Sequence, residues 1–244
     1  MADRVTVAGW VGSTNLGDEL LFRLLRGLLA DRGIAVGTPS VDPAGTASVH
    51  DVEAFGHLGP SALRHSLVAS DAFVFGPGGL LQDETGIWNL PYHLRRLGPV
   101  RRVGIPWAGI GLGADGLITT RGRSRVRRAL VGHTAIAVRD EPSVDALRTL
   151  GVDRVIRAAD LAFLAKPPTV SRDGVLGVCL RAPQSGRLRP GALDAGRIWP
   201  DERAAALAAA LDDTCRATGL TTRFVALDAP ADSVVHRQVA DQMA

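Results

Sequence analysis

The sequence contains few lysine, cysteine and aromatic residues, and each shortage excludes a class of protein. Lys166 is the single lysine and lies in a proline-rich segment, which excludes a phosphate-binding Walker loop. Cys179 and Cys215 lack metal-ligand spacing and are too few for a disulfide framework, so we expect structural thiols in a reducing cytoplasm. Aromatic residues make up 5% of the chain and the net charge is only +3, a composition that argues against a nucleic-acid partner.

Long hydrophobic runs are missing too. No run approaches the ~20 uninterrupted apolar residues of a membrane-spanning helix. The chain also enters a predicted strand at Arg4 without the apolar segment of a signal peptide. We therefore expect a cytoplasmic protein whose membrane contact, at the inner face, is no more than peripheral.

Motifs of several common catalytic sites are missing as well. Gly9, Gly12 and Gly17 do not have the spacing of a dinucleotide fingerprint. No Gly-x-Ser-x-Gly elbow or Cys–His pairing indicates nucleophilic hydrolysis. The histidines do not have the spacing of metal ligands, so the sequence predicts no metal site. They are His50, His57, His65, His93, His133 and His236.

What the sequence does contain is an alternation of apolar strands with amphipathic helices. This order predicts an α/β fold with a Rossmann-like N-terminal domain built on a parallel sheet. We predict helices beginning near Asp18, Pro60, Arg121 and Pro142, a weak helix over residues 88–97, and a loop over residues 38–51. The predicted strands cover residues 4–8, 34–36, 72–75, 102–107, 134–138 and 155–158.

The composition changes after the sixth predicted strand. We assign residues 1–165 to the N-terminal domain, the polar and proline-containing residues 166–173 to a linker, and residues 174–244 to a partial second Rossmann-like domain. The last region holds about two strands and two helices, too little to cover both faces of a sheet. We therefore expect a truncated C-terminal part and a chain that is a fragment of a longer protein.

Three glycine-rich segments follow predicted strands. They are the first segment (residues 9–19), the central segment (residues 76–83) and the third segment (residues 109–113). Open α/β sheets bind ligands at the carboxyl ends of their strands, so we expect the three to form a cleft. The candidate substrate-binding residues in these segments are Gly12, Asn15, Gly17, Gly78, Gly79, Gln82, Gly109 and Gly111.

Charged residues accompany these segments. Arg139 leaves a predicted strand at the same edge, where its guanidinium suits a carboxylate or phosphate. Asp140 is expected to cap the following helix, and the arginines of residues 121–128 are expected to form a solvated helix face. Asp18 and Glu19 stand at a helix start, where they either cap the helix or act in the site.

Six segments in order resemble the polysaccharide pyruvyl transferase family. They are Gly-x-x-Gly-x-x-Asn-x-Gly-Asp-Glu (residues 9–19), Gly-Pro-Gly-Gly-Leu-Leu-Gln-Asp (76–83), Gly-Ile-Gly (109–111), Val-Arg-Asp-Glu-Pro-Ser (138–143), Ala-Asp-Leu-Ala-Phe (159–163) and Leu-Arg (180–181). The resemblance implies two Rossmann-like domains arranged as in glycosyltransferase-B enzymes. It also implies transfer of an enolpyruvyl unit from phosphoenolpyruvate, without a cofactor, to two hydroxyls of a glycan or lipid-linked saccharide, as a ketal on a cell-surface or cell-wall polysaccharide precursor.

The resemblance also suggests roles for residues. Arg139 is the candidate to hold the phosphoenolpyruvate carboxylate or phosphate, while Asp18, Glu19 and Asp83 are expected to bind acceptor hydroxyls or transfer protons. The glycine segments, together with Ser143 and Arg181, would shape the substrate pockets.

The chain departs from the family pattern in two respects. Ala108 and Leu112 stand where the family commonly has glutamine and proline, and the family's C-terminal histidine and arginine would lie beyond Ala244. Two alternatives therefore stay open. One is a nucleotide-sugar-dependent glycosyltransferase of the B-type fold, and the other is a non-catalytic glycan-binding fragment.

Overall fold

The computed structural model describes residues 2–84, 86–132, 135–169, 173–181 and 198–244. The chain divides into two compact units. The first consists of the residues up to Ser13 and Gly17–Lys166, and the second of Thr14–Leu16 and Pro167–Ala244.

The first unit is built on a seven-stranded sheet in which every pair of neighbouring strands is parallel. Its strands are β1 Arg4–Ala8, β2 Ala35–Ser40, β3 Glu53–Gly56, β4 Ala72–Phe75, β5 Trp107–Leu112, β6 Ile136–Val138 and β7 Val155–Arg157, in the order β3-β2-β1-β4-β5-β6-β7. Its helices are α1 Leu16–Ala30, of which only the first residue, Leu16, belongs to the second unit, α2 Pro43–His50, α3 Pro60–Val68, α4 Asn89–Leu94, α5 Leu97–Val103, α6 Thr120–Leu130 and α7 Glu141–Thr149. The predicted α/β fold with a parallel sheet is confirmed.

Strand β4 shows why this sheet needs helices on both faces. Phe73 and Phe75 pack in one buried apolar cluster, whereas Val74 packs in another, with Phe22 and Leu25 of α1. Side chains alternate between the two faces of a strand, so an all-apolar strand must be covered on both sides. The continuous run of residues 72–75 therefore specifies a central strand.

The prediction of a loop over residues 38–51 is wrong. Strand β2 continues to Ser40, and α2 begins at Pro43 because the side chain of Asp42 accepts a hydrogen bond from the Gly45 backbone N–H at 3.1 Å. An aspartate N-cap followed by proline is a favourable helix start. The residues of α2 are mostly small or polar, so the sequence shows no clear apolar helix face there. The short strand β3 was not predicted either.

The prediction of a strand over residues 102–107 is also wrong. Helix α5 extends to Val103 and ends at Gly104, whose φ of +79° gives the left-handed cap that glycine favours. Strand β5 starts at Trp107 and continues through residues that we expected to form a loop. The apolar residues before Gly104 belong to the buried face of a helix.

The second unit holds the two parallel strands β8 Val175–Val178 and β9 Thr221–Phe224, with helices α8 Asp201–Thr218 and α9 Ala229–Ala240. Its small core consists of Ala204, Ala208, Leu211 and Val239. Leu16 belongs to this unit and donates its backbone N–H to the Leu227 carbonyl at 2.7 Å. Within the described ranges, no helix combines the length and hydrophobicity needed to cross a membrane.

Candidate functional site

The first segment, the central segment and Arg139 lie at the carboxyl edge of the sheet. Strands β1, β4, β5 and β6 are successive neighbours. The first segment follows Ala8, the central segment follows Phe75, and Arg139 follows Val138. Since adjacent strands lie about 4.8 Å apart, these residues span roughly 14 Å along one edge.

The central segment runs beside strand β5 as an irregular extension of the sheet. The Gly78 N–H donates to the Gly111 carbonyl and the Gly113 N–H donates to the Gly78 carbonyl, both at 3.1 Å. Gly76 has a φ of +122°, and a Cβ there would lie 2.2 Å from the Ile110 carbonyl oxygen. Only glycine fits this approach of two backbones. At Gly79, by contrast, a Cβ would meet no atom within 4 Å, so this backbone is accessible from one side.

Gly109 and Gly111 do not lie in a loop as predicted, because both belong to strand β5. A Cβ at Gly109 would lie 2.8 Å from Leu112 and 2.9 Å from Ile136, so its small size serves packing inside the sheet. Gly111 has a φ of +64° and sits where the pairing of β5 with β6 shifts register. Such an irregularity turns the end of a strand, and glycine permits it.

Glu19 organises the first segment from within. Its Oε1 accepts hydrogen bonds from the backbone N–H groups of Gly12 at 2.7 Å and Ser13 at 3.1 Å, and its Oε2 lies 2.8 Å from Nε2 of His50. Gly12 has a φ of +75°, and a Cβ there would lie 2.0 Å from Oγ of Ser40. Glu19 therefore fixes the shape of this loop.

Asp18 connects the first segment with the central segment. Helix α1 begins at Leu16, which places Gly17 and Asp18 in its first turn and excludes Asp18 as the N-cap. A Cβ at Gly78 would lie 2.9 Å from Oδ1 of Asp18, so this carboxylate lies against the glycine backbone. Asn15 belongs to the second unit, where it forms an isolated bridge with Asp228.

Asp83 supports the start of helix α6. Its Oδ1 accepts from the backbone N–H of Ile118 at 2.9 Å and of Thr119 at 3.3 Å, and its Oδ2 accepts from the Thr119 hydroxyl. Thr119 is itself the N-cap of α6, accepting from the Gly122 N–H at 2.9 Å. Asp83 thereby ties the central segment to the loop after β5. The Gln82 carbonyl accepts from the side chain of Asn89 at 3.0 Å, which anchors the same segment to α4.

Arg139 lies over the backbone that follows β5. A Cβ at Gly113 would lie 3.1 Å from both Nε and Nη2 of Arg139, so the guanidinium rests directly on this glycine. The guanidinium also pairs with Oδ2 of Asp140 and Oδ2 of Asp160, each at 3.5 Å. Both pairs are long for ion pairs, and the Arg139 side chain is 31% exposed. These contacts orient the guanidinium while leaving it accessible to an anion.

The two carboxylates beside Arg139 also accept hydrogen bonds from nearby backbone N–H groups. Oδ1 of Asp140 accepts from the Ser143 N–H at 2.8 Å as the N-cap of α7, and Oδ1 of Asp160 accepts from the Ala162 N–H at 2.9 Å. Partial burial opposes ionisation of Asp140, but hydrogen bonds from Ser143 and the Arg139 charge outweigh it and lower its pKa. Asp140 therefore stays ionised, and the predicted helix cap is present.

Ser143 is fully buried and connects helix α7 with the loop after β5 through hydrogen bonds. Its Oγ accepts from the backbone N–H of Ala114 at 2.8 Å. Because its own N–H donates to Asp140, Ser143 links the start of α7 to the loop after β5. Arg181 follows β8 in the second unit, and its carbonyl accepts from Nε1 of Trp199 at 3.2 Å.

Arg96, which no sequence motif marks, supports the first segment. Arg96 is 1% exposed, and its Nη1 donates to the Gly9 carbonyl at 3.1 Å while Nη2 donates to the Tyr92 hydroxyl at 2.8 Å. Among the described residues no carboxylate pairs with it, and burial lowers its pKa. No sequence signal separates Arg96 from its exposed neighbour Arg95.

No candidate metal cluster occurs in the part of the chain that the structure describes, where no three His, Cys, Asp or Glu side chains could hold an ion. The candidate site offers backbone N–H and C=O groups, helix-capping carboxylates and the Arg139 guanidinium. Such groups can bind an anionic ligand and position hydroxyl groups.

A family model described as "Polysaccharide pyruvyl transferase" matches residues 15–199. No curated protein sequence matches the chain. Among solved structures, the hypothetical protein SMU.573 from Streptococcus mutans is 13% identical with a TM-score of 0.40, and the match covers 65% of this chain and 59% of that one.

Two further solved structures are similar over more of the chain. Acinetobacter baumannii MurG is 11% identical, with a TM-score of 0.39 and coverage of 91% of this chain and 66% of that one. The E. coli heptosyltransferase WaaC, solved with ADP-2-deoxy-2-fluoro heptose, is 16% identical, with a TM-score of 0.35 and coverage of 91% and 68%. The chain thus spans about 59% of the length of the first of these proteins and 66% of the second.

Proposed function

The chain belongs to the polysaccharide pyruvyl transferase family, and from that premise we propose that it transfers a pyruvyl group from phosphoenolpyruvate to a sugar of a polysaccharide precursor. The observation that carries the proposal is the accessible Arg139 guanidinium, held on Gly113 at the carboxyl edge of the sheet. A planar guanidinium can bind the carboxylate or the phosphate of this donor in a bidentate manner.

The reaction forms two C–O bonds at C2 of the donor and breaks the bond between C2 and the phosphate ester oxygen. One hydroxyl proton is transferred to C3, which becomes a methyl group, and the other leaves with inorganic phosphate. Catalysis therefore needs stabilisation of negative charge on phosphate and carboxylate, and a group that accepts protons from the sugar hydroxyls. Arg139 would supply the first requirement.

Asp18 is our candidate for contact with the acceptor hydroxyls, since its carboxylate lies against the central segment at Gly78. Glu19 and Asp83 would act less directly. Each accepts three hydrogen bonds within the protein, and these hold the first and central segments in shape. In this proposal the glycine backbones, Gly79 above all, allow the substrates to approach closely.

The test is replacement of Arg139 by alanine, with Arg157→Ala as the matched control. Arg157 is 71% exposed and pairs with Glu141 of the neighbouring helix at 3.1 Å, so its loss removes a comparable surface ion pair. Removal of one transition-state charge partner costs about 10²–10³-fold in turnover, and we expect that loss only for Arg139→Ala. Phosphate release from phosphoenolpyruvate in the presence of acceptor measures it, and circular dichroism checks the fold.

Calorimetry separates this function from that of a nucleotide-sugar-dependent glycosyltransferase. We expect phosphoenolpyruvate to bind the protein and to lose affinity in Arg139→Ala. Binding of a nucleoside diphosphate instead would indicate a nucleotide-sugar-dependent glycosyltransferase. Equal turnover of the Arg139→Ala variant and the wild type would remove Arg139 from the mechanism.

A further inference from the structure

The arginines of the first unit are distributed unevenly. Residues 85–139 contain ten arginines and a single acidic residue, Asp115. Eight of these arginines lie on or beside helices α4, α5 and α6, and we call them the arginine surface: Arg95, Arg101, Arg102, Arg121, Arg123, Arg125, Arg127 and Arg128. Arg125 is half-buried and the other seven are exposed. Within the described ranges none of the eight forms an ion pair.

Two neighbouring cavities lie within this surface and share Pro91 and Arg125. The first, of about 250 Å³, is lined by four of the arginines, Arg95, Arg101, Arg125 and Arg128. The second, of about 310 Å³, has a wall of Ile87, Trp88, Leu90 and Pro91, with Arg121 beside it. A strongly cationic depression therefore adjoins an apolar one.

Three large apolar side chains are exposed at the edge of the second cavity and in the loop next to it. Ile87 is 51% exposed, Trp88 is 56% exposed and Ile118 is 55% exposed. The Asp83 carboxylate accepts from the backbone of Ile118 and Thr119, which holds the two loops that carry these side chains together. Among the described residues that line the two cavities, Asp83 is the one carboxylate, and both its oxygens are engaged in these bonds and in the bond from the Thr119 hydroxyl.

We propose that the arginine surface, with Ile87, Trp88 and Ile118, is a docking surface for an anionic phospholipid bilayer. Guanidinium groups suit the phosphates of lipid headgroups, and the negative potential of such a bilayer attracts clustered arginines. Tryptophan is favoured at the boundary between headgroups and acyl chains, where the isoleucines can also be buried. Nucleic acid would complement the arginines but would leave these apolar side chains exposed, so the bilayer is the better match. The proposal goes beyond pyruvyl transfer and does not depend on it.

The test is co-sedimentation of the protein with vesicles of equal parts phosphatidylglycerol and phosphatidylcholine, compared with vesicles of phosphatidylcholine alone. We expect binding to the anionic vesicles and little binding to the neutral ones. Each arginine at the membrane surface contributes about five-fold to affinity, so Arg121→Ser, Arg125→Ser and Arg128→Ser together should weaken binding about 100-fold. Trp88→Ser should weaken binding as well and remove the blue shift of tryptophan fluorescence that vesicles cause.

The matched control removes three arginines elsewhere on the first unit: Arg64→Ser, Arg148→Ser and Arg154→Ser together. These side chains are exposed and likewise form no ion pair within the described part of the chain, so the net charge changes equally. If the half-buried Arg125 proves necessary for folding, Arg127→Ser with Arg128→Ser tests the same surface with exposed positions only.

Several outcomes would overturn the proposal. One is equal binding to neutral and anionic vesicles. Another is an equal loss of affinity for the anionic vesicles in the arginine variant and in its control. Binding of duplex DNA that depends on these arginines, without vesicle binding, would assign the surface to nucleic acid. A dimer that dissociates in the arginine variant would assign it to a second copy of the chain.

Discussion

Arg95 and Arg96 are adjacent in sequence and lie in opposite environments. Arg95 is exposed and stacks over the Tyr92 ring at 4.5 Å, whereas Arg96 is buried and bridges Gly9 to Tyr92. Arg96 is 1% exposed, and its Nε has no hydrogen-bond partner among the described residues. Arg96 therefore affects the free energy of unfolding in two opposing ways. Burial of its charge lowers this free energy, and the hydrogen bonds that its guanidinium donates raise it.

We expect the hydrogen bonds to dominate in the variant Arg96→Met. Methionine fills a similar volume, but the buried Gly9 carbonyl and the Tyr92 hydroxyl each lose a donor, at a cost of about 1–3 kcal/mol in the free energy of unfolding. Arg95→Met should change that free energy by less than about 0.5–1 kcal/mol, because the side chain is exposed. Urea unfolding measures both. An Arg96→Met protein more stable than the wild type would show that the desolvation cost is the larger contribution.

Within helices and at the ends of strands, some glycines can be replaced by alanine and others cannot. Gly27 lies in helix α1, and a Cβ there would meet nothing within 4 Å. We therefore expect Gly27→Ala to stabilise the protein by about 0.5–1 kcal/mol, since alanine costs less backbone entropy in a helix.

Gly76→Ala makes the same substitution at the end of a strand. We expect it to lower the free energy of unfolding, whereas Gly27→Ala raises it. The new Cβ would lie 2.2 Å from the Ile110 carbonyl, and the φ of +122° is unfavourable for alanine. A destabilisation of more than about 2 kcal/mol is expected, because backbone cannot move aside as a side chain can. Thermal unfolding of both variants checks the pair, and a stable Gly76→Ala protein would show that the central segment can rearrange.

Local signals predicted several of these elements, and their failures have a common cause. The cap at Asp140 and the apolar run of residues 72–75 are short-range patterns, and α7 and β4 appear where those patterns predict them. Helix α2 has a weak apolar face, and the apolar residues before Gly104 fit a strand as well as a buried helix. Such short segments are decided by what they pack against, which a local pattern does not contain.

At the scale of the whole molecule, stability should decrease in mild acid. His93 is 3% exposed, and burial, followed by the charges of Arg96 and Arg95, lowers its pKa well below 6.5. The folded protein thus holds His93 neutral, while the unfolded chain takes up a proton below about pH 6.5. The stability that neutral His93 contributes is complete above that pH and is lost as the pH falls, by about 1.4 kcal/mol per pH unit for one proton.

Urea unfolding of the wild type and of His93→Gln, at about pH 7 and about pH 5, tests this linkage. We expect a smaller acid loss in His93→Gln, because glutamine does not titrate and can still accept from Arg96. His65→Gln is the control, since His65 is exposed on helix α3. An unchanged pH dependence in His93→Gln would place the acid sensitivity elsewhere.

The α/β class, the parallel sheet and the family could be predicted from the sequence alone, because alternation of strands with helices, turn glycines and motif order are local features of the chain. The sequence also led to the expectation that the glycine segments and Arg139 share one sheet edge, since parallel strands end together. The roles of the candidate substrate residues stay predictions. Three features became visible only in the folded chain: Gly109 and Gly111 lie inside a strand, Glu19 and Asp83 hold loops, and Arg96 is buried. Each of these depends on a partner distant in sequence, and the free energy of burial and hydrogen bonding is decided only once those partners meet.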